Sequence, residues 1–290
     1  MAVWCIERAL GLFTILPAER CEQLCDTYKL EKAELDHWYA VSRKMFVPFH
    51  EDGIISQFEG YEALEELDWD AYRRKYNNIK RLDLILEDEG KTTNSYKLSK
   101  QADVLMLFYL FSTEALTRIF ERLDYPFTGS MIPKNIDYYL QRTSHGSTLS
   151  AVVDAWVLAR SDRLHSWSQF KEALRCDVDD EGGMTAEGVH LGAMAGSVDL
   201  LQRCYTGLEL CNGELWFNPS LPAELAELSF RLRYRRHSLK VDIGEGVLTV
   251  ASDSAAADPI TVMMGKQKRT ISPGEQARFE MQPQTAQLNT

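Results

Sequence analysis

Ser147-Thr148-Leu149-Ser150-Ala151-Val152-Val153-Asp154-Ala155-Trp156-Val157-Leu158-Ala159-Arg160 is the stretch whose reading decides the fold. Ala151, Val152, Val153, Ala155, Trp156, Val157 and Leu158 leave almost no polar face, so this helix belongs in an inner layer. Leu164 to Cys176 follows with the one-sided pattern of an outer helix. Gly188 to Tyr205 returns to small and apolar residues, and its Gly192 and Gly196 lie one turn apart, a spacing that lets another backbone approach closely. Alternating inner and outer helices predict an α/α barrel or part of one.

The same reading extends in both directions. Ala2 to Leu16 reads as a helix apolar nearly all round, which predicts burial on more than one side. Leu30 to Phe46 repeats the pattern and Pro48 ends it. From Glu51 to Ser99 the pattern weakens: Asp52-Gly53 marks a turn, Ile54-Ile55 suits a short strand, and a long irregular stretch of this kind points to function. Lys100 to Glu121 is helical with a joint near Ser112. After Leu221-Pro222 the period becomes two, in Leu228-Phe230-Leu232-Tyr234, Leu239-Val241-Ile243, Val247 to Val250, Ile260 to Met263 and Ala277-Phe279-Met281. Glycines between these runs supply tight turns, and the pattern predicts a small antiparallel sheet. The polar tail 282–290 predicts disorder. The expected organisation is therefore mainly α with a C-terminal β domain, residues 1–211 helical and 212–290 strand-rich.

Composition bounds the function. At 290 residues, with 45% hydrophobic and 26% charged residues, the chain has the make-up of an ordinary soluble protein with room for two domains. A net charge of -11 argues against nucleic acid as a partner, because phosphate-backbone binding needs a basic face. No apolar run reaches membrane-spanning length and the start lacks the regions of a signal peptide, which together predict a cytoplasmic chain with no membrane partner. The six cysteines are too sparse for a disulfide scaffold, and Cys21 and Cys25 have no second pair at zinc-site spacing, so no metal is expected. The acidic run Asp177 to Glu181 lacks the alternating ligands of a calcium loop and reads as a solvated loop.

Two polar strings lead directly into apolar helices: Tyr96-Lys97-Leu98-Ser99-Lys100-Gln101-Ala102-Asp103-Val104 and Arg142-Thr143-Ser144-His145-Gly146-Ser147-Thr148-Leu149-Ser150. Helix N-termini carry unsatisfied N–H groups and a positive dipole end, so each string is a natural seat for phosphate or sugar hydroxyls. From local sequence, Ser144, Ser147 and Thr148 also read as a cap and first-turn hydroxyls. His145 and Gly146 add an imidazole donor and a place where backbone can approach a ligand. His190 with Glu187 reads equally as a structural pair at helical spacing. Lys100, at the expected first turn of a helix, opposes the dipole and calls for another reason to be there.

Together with Glu187-Gly188-Val189-His190-Leu191-Gly192-Ala193-Met194-Ala195-Gly196 and Leu215-Trp216-Phe217-Asn218-Pro219-Ser220-Leu221-Pro222, these strings resemble the glycoside hydrolase family 65 phosphorylases, which cleave α-linked glucose disaccharides with inorganic phosphate. The resemblance runs along nearly the whole chain, in family order. It implies the second half of an (α/α)6 barrel and a jelly-roll-like C-terminal domain. It further implies phosphate contacts from Ser147, Thr148 and His190, with His145, Gly146 and Glu187 in support, and sugar contacts from Lys100 and Gln101. Thr148 stands where the family usually has a serine, so a methyl group crowds the retained hydroxyl. Phosphate is then a co-substrate and no further cofactor is implied.

The family's acidic motif, which carries the general acid, matches nothing in this chain, so no catalytic residue is assigned within it. By the resemblance that motif lies upstream of Met1, and Met1 to Trp4 looks like the interior of a family helix. The expectation is a truncated, misannotated or excised chain whose partner is a missing N-terminal half, inert alone and self-associating as a homo-oligomer. Two other readings stay open: an inverting hydrolase with Glu187 as its base, and a non-catalytic binding or complementation fragment.

Overall fold

A computed structural model of the chain describes residues 1–51, 53–144, 148–160, 162–179, 188–211, 213–253 and 255–281. The predicted tail 282–290 lies outside them, as do His145, Gly146, Ser147 and Glu187. The chain is helical through its first two thirds and ends in a β-sheet domain, as the periodicities predict. By internal packing it forms two compact units, Met1–Ser147 and Thr148–Thr290.

In the first unit, α1 (Ala2–Ile15), α2 (Ala18–Tyr28) and α3 (Lys32–Val41) come first. The expected deep burial of α1 does not appear: Val3 is its one buried residue, and Leu12 and Ile15 are exposed. Its packing within the unit is chiefly on α2 and α3, with Trp4 beside Phe111 at 6.1 Å between ring centres, and Leu12 and Ile15 stay uncovered among the described residues. A short hairpin follows, β1 (Phe49–His50) with β2 (Ile54–Ile55). The irregular stretch then proves to hold α4 (Trp69–Lys75) and α5 (Leu82–Asp88), joined by a core of Leu67, Tyr72, Leu82 and Leu86. The expected helix over 100–121 is two, α6 (Asp103–Leu110) and α7 (Thr113–Arg122). Ser112 is the joint: its hydroxyl accepts the Ala115 N–H at 3.2 Å and caps α7.

The last helix of this unit, α8 (Met131–Leu140), carries the hairpin. Asn135 accepts the Ile55 N–H at 2.8 Å and donates to Gly53 O at 2.8 Å, and the Tyr139 hydroxyl donates to Ile55 O. These side chains satisfy backbone groups that a two-residue strand cannot pair by itself.

In the second unit, α9 (Thr148–Leu158) has eight of its eleven residues buried, as an inner helix should. α10 (Arg163–Arg175) returns beside it, with Ser166 Oγ donating to Ala155 O at 2.6 Å. α11 (Leu191–Asp199) runs on into a π-helical turn over Leu200–Cys204. A Cβ built on Gly196 would sit 2.6 Å from Val152 Cγ1, so the close approach predicted from the two glycines is real there. At Gly192 nothing described lies within 4 Å, so only one of the two serves packing.

Two four-stranded sheets complete the unit. One has the order β10-β7-β6-β5, from β5 (Leu228–Tyr234), β6 (His237–Gly244), β7 (Val247–Ser252) and β10 (Gln276–Glu280). The other has the order β3-β4-β8-β9, from β3 (Glu209–Cys211), β4 (Glu214–Phe217), β8 (Ile260–Met264) and β9 (Gln267–Ile271). Pairing is antiparallel except between β4 and β8, which run parallel with Trp216 opposite Met263. Alternate residues turn inward, among them Leu239, Val241, Leu248, Val250, Val262 and Phe279, all completely buried. Each such side chain contributes about 1.5–3 kcal/mol.

Candidate functional site

The two polar strings meet. Ser99 N–H donates to Arg142 O at 3.1 Å, and Ser144 N–H donates to Ser99 O at 3.0 Å, a parallel bridge between Ser99 and Thr143. On its other side the first string pairs with Glu65, which accepts the Lys97 N–H at 2.8 Å. Tyr96 to Ser99, just ahead of Lys100 and Gln101, is therefore bridged on one side to Glu65 and on the other to Thr143.

Side chains reinforce the arrangement. The Arg142 guanidinium forks onto Glu66 at 3.0 and 3.1 Å, and its carbon lies 3.7 Å from the centre of the Tyr138 ring. Lys97 Nζ also reaches Glu66, at 3.2 Å. Partial burial would raise the Glu66 carboxyl, but hydrogen bonds from Arg142 and Lys97 outweigh it and hold the group below its ordinary value. Ser99 Oγ is buried in this layer with no hydrogen-bond partner among the described residues. His50, whose ring lies 5.2 Å from that of Tyr138, is lowered by burial, and its Nδ1 pairs with Ser56 Oγ at 2.6 Å.

Lys100 is not in the first turn of α6, which begins at Asp103 with Ala102 as its cap. The dipole conflict is thereby avoided, and Lys100 Nζ pairs with Asp83 Oδ2 at 3.2 Å. Asp83 is pulled down to about 2, first by its hydrogen bond from Arg81 and then by Lys100. Half of the Lys100 side chain remains exposed. Gln101 Nε2 lies 2.9 Å from Met106 Sδ, a weak acceptor that a better one can displace.

In the second unit, contacts fix the direction of the helices. Val152 meets Gly196, and further along both helices Trp156 O accepts from Cys204 Sγ at 3.8 Å, so α9 and α11 run in the same sense. Their N-termini, at Thr148 and His190, lie at one end of the pair. α10 runs the opposite way and delivers its C-terminal residues Cys176 and Asp177 to that end.

Asp177 grips His190 there. Its Oδ2 accepts the His190 backbone N–H at 2.9 Å, and its Oδ1 lies 2.6 Å from Nδ1. The carboxylate has no proton to give, so Nδ1 is the donor and Nε2 is left to meet a ligand. The side-chain hydrogen bond from His190, then the backbone one, lowers the Asp177 carboxyl from its ordinary 3.8. The grip is thus fully present above that value and is lost only as pH falls through the depressed one.

Sequence reasoning missed this residue by reading 177–181 as a solvated loop. Thirteen positions separate it from His190, and only the α10 reversal joins them. Cys176 completes a Cys-Asp-His group whose ligand atoms lie within 4.8 Å of one another, the one such group among the described residues. Both Asp177 oxygens already serve His190, and burial followed by the Asp177 charge raises the Cys176 thiol. That chemistry suits an Asp–His pair better than a metal centre.

A helical region with an imidazole gripped by a carboxylate at the start of α11, followed by a two-sheet β domain, has close relatives. Residues 1–199 match the glycosyl hydrolase family 65 central catalytic domain and residues 208–271 match the family's C-terminal domain, so this chain belongs to glycosyl hydrolase family 65. An uncharacterized glycosyl hydrolase of Mycobacterium tuberculosis is 53% identical over 263 residues, covering 90% of this chain and 20% of the relative. The trehalose 6-phosphate phosphorylase of Lactococcus lactis is 32% identical over 256 residues, 88% of this chain and 33% of that enzyme. A solved structure of a candidate kojibiose phosphorylase from the human microbiome superposes with a TM-score of 0.72 at 19% identity, over 97% of this chain and 39% of the other. The chain spans about a fifth to a third of the length of these curated relatives. Among the described residues no helix is long and apolar enough to cross a membrane.

Proposed function

We propose that this chain is the C-terminal part of an inverting disaccharide phosphorylase, which cleaves an α-glucosidic bond with phosphate to give glucose 1-phosphate. In such a reaction a carboxylic acid protonates the departing glycosidic oxygen while phosphate attacks the opposite face of the sugar. Phosphate takes the place of the water and base of an inverting hydrolase, so the protein must hold an anion beside the reacting carbon.

The observation that supports the reading is that Thr148 and His190 stand at the starts of α9 and α11, two helices that run in the same sense, with the Asp177 carboxylate engaged by His190. Two positive dipole ends, a hydroxyl and an imidazole favour an anion. Ser147 joins them in the proposal, with His145, Gly146 and Glu187 in support and Lys100 and Gln101 as donors to sugar hydroxyls. The general acid belongs to the longer protein, as does the remaining wall of a family barrel.

Phosphate or sulfate is expected to bind the chain weakly, in the millimolar range, worth about 4 kcal/mol. Titration followed by amide and imidazole NMR shifts will locate it at Thr148 and His190. In the longer protein, Ser147→Ala or His190→Ala should reduce phosphate-dependent cleavage far more than residual hydrolysis. The hydrolase reading, which the name of the M. tuberculosis relative keeps in view, makes the opposite demand. If Glu187→Gln abolishes a phosphate-independent release of glucose and His190→Ala leaves phosphate dependence intact, that reading replaces this one.

A protein partner is part of the proposal. Leu12, Ile15, Tyr39 and Phe46 are exposed in the first unit, and apolar surface of this kind favours association with a second copy or with the rest of the longer protein. Sedimentation of the isolated chain should show concentration-dependent self-association, which Ile15→Lys should weaken; a monomer at all concentrations rejects it.

A further inference from the structure

We infer that Asp177 is a positioning residue which locks His190 into the tautomer protonated at Nδ1, so that Nε2 is the atom presented at the shared end of α9 and α11. The inference rests on the anion-seat reading given above and adds to it a residue outside the motifs that carry the family resemblance.

The geometry is specific in three respects. One carboxylate engages both the ring Nδ1, at 2.6 Å, and the backbone N–H of the same histidine, at 2.9 Å, so ring rotation and backbone position are fixed together. Both groups are sheltered, the side chains keeping 17% exposure at His190 and 10% at Asp177. His190 is also the cap residue of α11, and its own side chain makes no cap hydrogen bond, so Asp177 alone orients the ring at that terminus among the described residues.

A histidine so held has one function left for Nε2. When neutral it accepts from a phosphate P–OH, and when protonated it donates to a phosphate oxygen. An unheld imidazole would divide between two tautomers and several ring orientations, and binding would have to select one of them. Outer partners that orient a ligating histidine commonly alter affinity by ten- to a hundredfold when removed, in the case of metal sites. A weak anion site should lie near the lower figure.

Asp177→Asn tests this with little change in volume, because an amide has one accepting oxygen and cannot serve both N–H groups. The readout is the pair of 15N ring shifts of His190 in the chain at neutral pH, with inorganic phosphate titrated into the same samples. The wild-type chain should show the Nδ1–H form. Asp177→Asn should show loss of that form or tautomer mixing, with a phosphate dissociation constant raised about tenfold. Asp177→Glu should recover much of the Nδ1–H signature, and it provides a second folded variant if the amide proves unstable. An unchanged Nδ1–H tautomer and unchanged phosphate affinity in Asp177→Asn, with His190→Ala still weakening phosphate, overturns the positioning role alone. His190→Ala without effect on phosphate overturns the anion seat instead, and the tautomer shifts still decide whether Asp177 orients the ring.

Discussion

Purified residues 1–290, incubated with phosphate and maltose, trehalose, kojibiose or nigerose, will release no glucose 1-phosphate. Departure of a glycosidic oxygen needs a proton from a placed carboxylic acid, and that transfer by itself accounts for roughly a hundredfold to ten-thousandfold of rate. The carboxylates beside the candidate residues of each unit are committed elsewhere: in the first unit Glu66 to Arg142 and Lys97 and Asp83 to Arg81 and Lys100, and in the second Asp177 to His190. Asp83 is held near 2 and the other two lie below their ordinary values, the reverse of what a general acid at neutral pH requires. Coupled enzymatic detection of glucose 1-phosphate provides the measurement. Steady turnover would place the acid inside these 290 residues and overturn the proposed division of roles.

Gly207→Ala will destabilise the second unit by roughly 2–5 kcal/mol, combining the left-handed backbone cost with overpacking. Gly207 has φ +61° and ends the helical run that passes from α11 through its π turn. Its N–H donates to Cys204 O at 3.3 Å and the next N–H, of Leu208, donates to Arg203 O at 3.1 Å, the paired bonds of a Schellman cap. A Cβ there would lie 2.6 Å from the Asn218 carbonyl oxygen and 2.9 Å from its carbon. Those are backbone atoms, and the segment is tied down by Asn218 N–H to Thr206 O at 3.0 Å and Ser220 N–H to Tyr205 O at 2.8 Å. Gly192→Ala serves as the control, because it is helical, meets nothing within 4 Å among the described residues, and should be neutral or slightly stabilising. Urea unfolding of the two variants measures the contrast; equal midpoints would show that the junction yields at no cost.

Several elements could be read without a structure because their residues answer to local rules. β5, β6, β7 and β10 follow from strict alternation, and the joint between α6 and α7 from the capping Ser112. Others could not. α8 holds Pro133 and a buried Asn135, residues of low helix propensity; the proline sits in the first turn, where no intrahelical donor is needed, and the asparagine is spent on the β1–β2 hairpin. β9 is a sheet-edge strand, Gln-Lys-Arg-Thr-Ile, in which only Ile271 is buried, so it lacks the alternation that reveals a strand. The parallel pairing of β4 with β8 joins residues more than forty positions apart and leaves no local trace.

The candidate site divides in the same way. The sequence by itself determined the family and the helical and β regions, and it nominated Lys100, Gln101, Thr148 and His190 as candidates, because motif residues and periodic apolar positions are properties of short segments. Only the tertiary structure decided which groups those residues answer to. It paired Lys100 with Asp83, laid the Ser99 strand beside Arg142 to Ser144, and turned α10 back so that Asp177 closes on His190. A charged or hydrogen-bonding side chain takes its partner from whatever packing brings within about 3 Å, and that distance is set by the burial of apolar faces elsewhere in the chain, not by spacing along it.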